Sequence, residues 1–311
     1  MSILITGAGM IGCYFAREMA RRGRQVVLYE GAPNAEYIRF VAGDAPVVKG
    51  DIRDLPALVD VMREYGVDTV FHSAAMISRT VAANPFTGLS VNIGGTTAVA
   101  EASRLCGVRR LVFCSSVVAY RWSLRPVAPV DEDFPLGDDD FYGNSKVACE
   151  QVLHAYGAKY GIEVAVLRFP LVYGHGLFAG GARGGIAPHL IAEDAARGRP
   201  VRIDPAQFNT TEHLYVKDAV QGVTLACERP FTGKAFNIGA GAVTGPSDLA
   251  HAVKTACPGL SVEVLPGSSE HPGHQKQPLD LNRARKELGY DPEFDLDKGM
   301  SDLIQELRRL S

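Results

Sequence analysis

A doubly wound α/β fold, a parallel sheet with helices on both faces, is predicted by three observations in the 311-residue sequence. A strand runs into a glycine-rich turn and then a helix at the start of the chain. Short apolar runs alternate regularly with helical periodicity as far as Phe169. Two serines, Ser115 and Ser116, close one strand, and a Tyr-x-x-x-Lys pair, Tyr142 and Lys146, opens a later long helix. Strand and helix alternating in this way form a parallel sheet with right-handed crossovers.

Apolar content of 46%, charged content of 22% and a formal charge of -3 describe an ordinary globular protein, so no nucleic-acid partner is expected. The basic clusters Arg21-Arg22-Arg24, Arg109-Arg110 and Arg308-Arg309 sit at predicted helix ends or just before a strand. They read as solvated cations near helix C-termini. Six scattered cysteines without a Cys-x-x-Cys predict buried thiols in a reducing compartment and no metal site. No apolar run reaches the length of a membrane span, and the N-terminus breaks into strand, turn and helix with charges at Arg17 and Glu18. A cytoplasmic protein with no membrane partner is expected.

Ile3 to Ile5 form the first predicted strand, which stops at Thr6-Gly7-Ala8-Gly9-Met10-Ile11-Gly12 before a helix from Cys13 to Arg22. Gly-x-Gly-x-x-Gly in this setting is a dinucleotide fingerprint. Gly7 allows the tight turn, Gly9 lets backbone approach a pyrophosphate, and Gly12 lets helix and strand pack closely, with Met10 and Ile11 in the same cradle. Gln25 to Tyr29 supply the second strand and end in Glu30, whose carboxylate can accept from the adenosine ribose hydroxyls. Glu30 would also repel a 2′-phosphate, so NAD is expected over NADP.

Val47-Val48-Lys49 reads as a third strand leading into Gly50-Asp51-Ile52, with a helix from Asp54 to Tyr65. Thr69 to His72 is the fourth strand and runs into Ser73-Ala74-Ala75, small residues that leave room for a cofactor across the sheet edge. One long helix, including Asn92, is expected over Phe86 to Leu105, and Arg110 to Cys114 is the fifth strand. Val127 to Asp140 reads as a loop whose Asp138-Asp139-Asp140 run caps the helix that Tyr142 begins. That helix reaches about Tyr160, Val164 to Phe169 is the sixth strand, and Ala235 to Ile238 rejoins the sheet. Gly174, Gly176, Gly180, Gly181, Gly184 and Gly185 predict a mobile loop over a site, followed by a short helix from His189 to Arg197. The C-terminal remainder reads as irregular until helices over 282–288 and 296–310. Residues 1–170 with 210–238 are expected to bind the dinucleotide, and 171–209 with 239–311 the substrate.

Residues four apart on a helix share one face, so the Tyr142 hydroxyl and Lys146 ammonium can point into one cleft. An ammonium beside a phenol favours the phenolate, which predicts a lowered pKa and makes Tyr142 a general base near neutral pH.

In combination these residues resemble the extended short-chain dehydrogenase/reductase family, which includes NAD-dependent epimerases and dehydratases of nucleotide sugars. The resemblance covers nearly the whole chain through the Thr6-Gly7 turn, Gly50-Asp51-Ile52, His72-Ser73-Ala74-Ala75, Asn92, Ser115-Ser116-Val117-Val118-Ala119-Tyr120, Tyr142-Gly143-Asn144-Ser145-Lys146, Leu167-Arg168-Phe169, Tyr215-Val216-Lys217-Asp218 and Phe236-Asn237-Ile238-Gly239. It implies a Rossmann-type sheet with a smaller, mostly C-terminal substrate-binding domain, and NAD as cofactor. Asp51 and Ile52 would hold the adenine, Lys146 the nicotinamide ribose, and Ser116, four residues before Tyr120, the reacting oxygen. Ala74, Ala75, Asn92 and Phe169 complete the implied cofactor contacts. A homodimer packed through the helices near 86–105 and 141–160 is implied, with Ala148 and Cys149 as small outward residues.

Departures from the family pattern bear on substrate. Val117 and Val118 stand where family dehydratases carry an acid and base, so water elimination is not expected. Glu212 and His271 stand where nucleotide-sugar members place arginines that pair with a diphosphate, and a carboxylate there would repel it. Arg202 or Lys276 could compensate. His271 and His274 have a His-x-x-His spacing, but Pro272 and Gly273 keep them off a helix face and a surface role is expected. The expected function is NAD-dependent oxidation of a secondary alcohol, or reduction of the ketone, on a small polar or sugar-like substrate. The alternatives are a UDP-sugar 4-epimerase with tightly held NAD and a non-enzymatic dinucleotide sensor.

Overall fold

The computed structural model describes residues 2–176, 183–268 and 277–309. β1 (Ser2–Thr6) is buried at every position and ends at Gly7, whose φ of +90° is open to glycine and strained for other residues. The chain continues through α1 (Met10–Arg21), β2 (Gln25–Glu30), α2 (Ala35–Ala42), β3 (Val47–Lys49), α3 (Leu55–Glu64), β4 (Val67–His72), α4 (Ser78–Ala83), α5 (Pro85–Leu89), α6 (Gly95–Leu105), β5 (Arg110–Ser116), α7 (Phe141–Tyr160) and β6 (Glu163–Phe169). Then follow β7 (Leu171–Tyr173), α8 (Arg183–Ala196), β8 (Val201–Ile203), β9 (Thr211–Tyr215), α9 (Val216–Glu228), β10 (Ala235–Asn237), β11 (Val243–Thr244), α10 (Pro246–Ala256), β12 (Val262–Val264), α11 (Asn282–Leu288) and α12 (Leu296–Arg308).

The main sheet has seven parallel strands in the order β10-β6-β5-β4-β1-β2-β3. Strand order reverses between β1 and β4, the switch point at which open α/β sheets bind ligands outside their carboxyl ends. One apolar core packs Leu58, Met62, Val99 and Leu153 of α3, α6 and α7 against one face. The second packs Phe15, Met19 and Val223 of α1 and α9 against the other face and continues into Leu249, Leu303 and Ile304 of the C-terminal helices. Two small sheets, β11-β9-β7 and β12-β8, build the second lobe.

Several expectations are corrected. The helix expected over 86–105 runs unbroken from Pro85 to Leu105 but carries a π-turn at Ser90–Gly94, whose Asn92 amide turns inward onto other segments. The region read as irregular contains α10, announced in the sequence by Pro246 at the first turn and by Asp248, whose carboxylate accepts the Gly245 N–H at 2.8 Å. α2 was not signalled; its Asn34 side chain caps the Tyr37 N–H. α8 starts at Arg183 and so takes in Gly184 and Gly185; Gly180, Gly181, His271, His274 and Lys276 lie outside the described residues. Arg110 is not a solvated cation. It is 4% exposed, and its guanidinium donates to the carbonyls of Ala226, Cys227 and Arg229 at the C-terminal end of α9. Cys149 faces inward, its thiol on the Asn92 carbonyl at 3.3 Å. Of the three aspartates before α7, Asp140 caps the helix through the Gly143 N–H while Asp138 accepts the Ser123 N–H. Among the described residues no helix is long and apolar enough to cross a membrane.

Candidate active site

The glycine turn and the wall after β4 meet at the switch point. Ser73 donates its N–H and its hydroxyl to the Thr6 carbonyl at 3.0 and 2.8 Å, which brings Ala74 against the turn. A Cβ on Gly7 would lie 2.7 Å from the Ala74 nitrogen, and one on Gly12 would overlap the Gly7 carbonyl oxygen. Gly9 differs: a Cβ there would meet nothing within 4 Å, so the turn opens at that residue onto free space. The first-turn N–H groups of α1, at Met10 and Ile11, face that opening, as helix N-termini face bound phosphates. No acidic residue sits in the first turn to oppose an anion.

Glu30 stands at the end of β2, its two carboxylate oxygens accepting the Ala8 and Ala32 N–H groups, each at 2.9 Å. The carboxylate is thereby fixed beside the turn, where a nucleoside ribose would present its hydroxyls. Asp51 is half-exposed and paired with Arg53, and Ile52 is buried against Gly95. Tyr29 donates its hydroxyl to the Asp51 carbonyl at 3.1 Å, which ties this corner to β2.

Two of the expected site residues, Asn92 and Phe169, and the neighbouring His72 have no open polar face. Asn92 is 2% exposed; its amide accepts the Met76 N–H at 2.8 Å and donates to the Met76 carbonyl and the Ser145 hydroxyl. It therefore anchors the wall of Ala74, Ala75 and Met76. Phe169 is 3% exposed in the core beneath Ser116, its partner in register across β5 and β6. His72 is fully buried between the hydroxyls of Thr6 (2.6 Å) and Thr96 (2.9 Å). Burial, followed by the Lys146 charge, pushes its pKa down to about 3, so it is a neutral pin between β1, β4 and α6.

The catalytic candidates converge at the rim. Lys146 is buried and donates to the Cys114 carbonyl at 2.7 Å, with its nitrogen 5.6 Å from the centre of the Tyr142 ring. Burial works against its charge, but the neighbouring Tyr142 and Cys114 outweigh that, and the amine is raised above its usual range. The Tyr142 phenol is also raised, chiefly by burial; Lys146 and a hydrogen bond from Ser116 pull it down without cancelling that effect. The expectation of a lowered tyrosine is thus not met by the protein's own groups. The charge state that follows is a neutral phenol beside an ammonium. Ser116 also accepts the Val118 N–H at 3.2 Å, which holds its hydroxyl at the strand end.

Glu212, expected to repel a diphosphate, does not face the cleft. It is fully buried, its oxygens accepting the Gly241 and Leu279 N–H groups at 2.7 and 2.8 Å. Arg202 pairs with Glu263 on the neighbouring strand β12.

The profile of the NAD-dependent epimerase/dehydratase family matches residues 3–239. A UDP-glucose 4-epimerase of Mycolicibacterium smegmatis is 31% identical, covering all of both chains. Among solved structures, a UDP-glucose 4-epimerase from Stenotrophomonas maltophila with bound NAD superposes with a TM-score of 0.85 at 26% identity, over 100% of this chain and 98% of that one. An L-threonine dehydrogenase from Cupriavidus necator shares the fold, with a TM-score of 0.83 at 23% identity over 99% of this chain and 100% of that one. The open glycine turn, the fixed carboxylate of Glu30 and the Tyr-Lys-Ser group fit that cofactor: the chain belongs to the NAD-dependent epimerase/dehydratase family of extended short-chain dehydrogenases/reductases and is an NAD-dependent enzyme.

Proposed function

We propose that the protein transfers a hydride between NAD and a secondary alcohol or ketone carbon of a small polar or sugar-like substrate. The observation that carries this reading is the convergence of Tyr142, Lys146 and Ser116 at the rim beside the open glycine turn. Met10, Ile11 and the turn backbone would hold the pyrophosphate, Glu30 the adenosine ribose, Asp51 and Ile52 the adenine, and Lys146 the nicotinamide ribose. NAD supplies a hydride acceptor and, in its oxidised form, a positive charge.

In the oxidising direction Tyr142 takes the proton of the substrate hydroxyl while Ser116 donates a hydrogen bond to the oxygen that becomes the carbonyl. Lys146 stabilises the phenolate left by Tyr142 before the proton arrives. The wall of Ala74, Ala75 and Met76, held by Asn92, keeps water from one side of the site. Oxidation needs the phenolate form of Tyr142, so it speeds up as pH rises. Val117 and Val118 follow Ser116 directly and offer no acid or base for elimination.

Net oxidation is preferred over epimerisation because the position that would pair with a diphosphate holds Glu212, whose carboxylate is built into the protein. The epimerase reading is favoured by the full-length likeness to UDP-glucose 4-epimerases. Incubation with NAD and a panel of polyols, hydroxy acids, L-threonine and UDP-sugars separates them. NADH formed in step with product supports the dehydrogenase, whereas UDP-glucose isomerised at constant NAD would replace it with the epimerase. We further infer a homodimer packed through α6 and α7, on whose ends Leu105, Phe141 and Tyr160 are exposed; sedimentation at two concentrations tests it.

A further inference from the structure

Ser115, the serine that the proposed chemistry does not use, is 2% exposed, and its hydroxyl donates to Glu150. Side chains alternate along a strand, so Ser115 and Ser116 leave β5 on opposite faces. Ser115 follows Phe113 toward α7. There Tyr142, Lys146 and Glu150 recur every four residues on one helix face. Glu150 is fully buried, and Arg168 grips both its oxygens at 3.1 and 2.7 Å. Arg168 is the residue paired with Ser115 in the β5–β6 register. Its other nitrogen donates to the Tyr120 hydroxyl at 3.1 Å and the Glu132 carbonyl at 2.9 Å, and Tyr120 donates to Asn237 at 2.7 Å. Strand, helix and the loop after Ser116 are thus fastened to one buried ion pair.

We propose that Ser115 is a positioning residue: by bonding Glu150 on the face that carries Tyr142 and Lys146, it locks the strand end presenting Ser116 in register with that helix. This rests on the reading of Tyr142 and Ser116 given above. The anchor suits the task because a charge-assisted hydrogen bond is short and directional, and because Arg168 leaves the carboxylate little freedom to turn. It also accounts for two adjacent serines where hydride transfer needs one. Ser115 never touches substrate; it acts through the placement of the next residue.

The test compares wild type, Ser115→Ala and Tyr142→Phe, each as the NAD complex. Ser115→Ala deletes one hydroxyl and leaves the Glu150–Arg168 pair whole, so the protein still folds. Crystal structures are expected to show Ser116 drawn away from Tyr142 in Ser115→Ala. With L-threonine, polyols and UDP-glucose as probes, using whichever the wild type converts, kcat should fall about tenfold while the Kd for NAD and KM stay within about twofold. Ser116 unmoved in the crystal, or kcat unchanged, overturns the proposal. So does a fall in kcat matched by equal losses in NAD affinity and melting temperature, because that is the mark of a merely structural residue. Tyr142→Phe separates the two ideas: if it keeps turnover, the catalytic reading itself is wrong, whatever Ser115→Ala does.

Discussion

The rim at the ends of β1, β4 and β5 and the lobe around β9 are both rich in polar side chains, but they use them in opposite ways. At the rim, Tyr142 and Ser116 are half-buried and keep hydroxyl capacity for a ligand, and Gly9 opens onto space. In the lobe, Glu212 and His213 are buried. Glu212 satisfies backbone N–H groups, and His213 lies flat against Phe208 with ring centres 4.3 Å apart. The difference separates reactive groups from scaffold groups by what their atoms already bond, which residue type alone does not reveal. Six substitutions and one pH series can break or sharpen that contrast.

The largest effect is expected for Tyr142→Phe. Removing a general base typically costs about 10²- to 10⁴-fold in rate, and NAD binding should persist because the turn is untouched. Turnover that survives the substitution moves the chemistry elsewhere.

Next come two glycines of one turn. Gly12→Ala forces a methyl onto the Gly7 carbonyl oxygen and should destabilise the fold by ~1–3 kcal/mol, read by urea unfolding. Gly9→Ala meets no protein atom, so the fold should hold while NAD affinity falls. If Gly9→Ala binds NAD as tightly as wild type, the open space does not belong to the cofactor.

In the lobe, Glu212→Gln leaves one backbone N–H without its acceptor and should cost ~1–3 kcal/mol in stability, with kcat per folded molecule unchanged. A selective change in KM for UDP-sugars at full stability would return Glu212 to the site. Smaller still, Glu30→Ala should relax NAD preference over NADP by about tenfold, near the ~1.4 kcal/mol of one good hydrogen bond. Equal discrimination before and after would remove Glu30 from the ribose site.

The same contrast explains what could be read from residues alone. The strands β1 to β6 and the glycine turn were legible because each rests on local rules: apolar runs of strand length, and a φ that favours glycine. Ser116, Tyr142 and Lys146 were legible because their spacing is itself the geometry. The π-turn at Ser90–Gly94, the pin role of Asn92 and the burial of Arg110 were not, since each depends on partners distant in sequence such as Met76 and Ala226. Glu212 misled because a charged residue in a polar-looking stretch gives no sign of the backbone donors that meet it. His72 does carry a signal in the sequence: a histidine ending a buried parallel strand must have its ring nitrogens answered by neighbours.

That histidine supports the smallest prediction, on acid stability. The unfolded chain protonates His72 near its ordinary pKa of about 6.5, whereas the folded protein resists until about 3. Between those values the unfolded state binds more protons, so the stability from the neutral imidazole is complete above pH 6.5 and is lost as pH falls toward 3. His213, also pushed down to about 3 by burial, works in the same direction from the lobe. His72→Asn should therefore lower the urea midpoint at pH 7, because the Thr6 and Thr96 hydroxyls lose their shared partner. It should also flatten the further decline between pH 7 and 4, because one of the buried histidines that resist protonation is gone. A variant whose midpoint falls in parallel with wild type over that range would show that His72 takes up its proton equally in both states, and that its burial between two hydroxyls does not oppose charging.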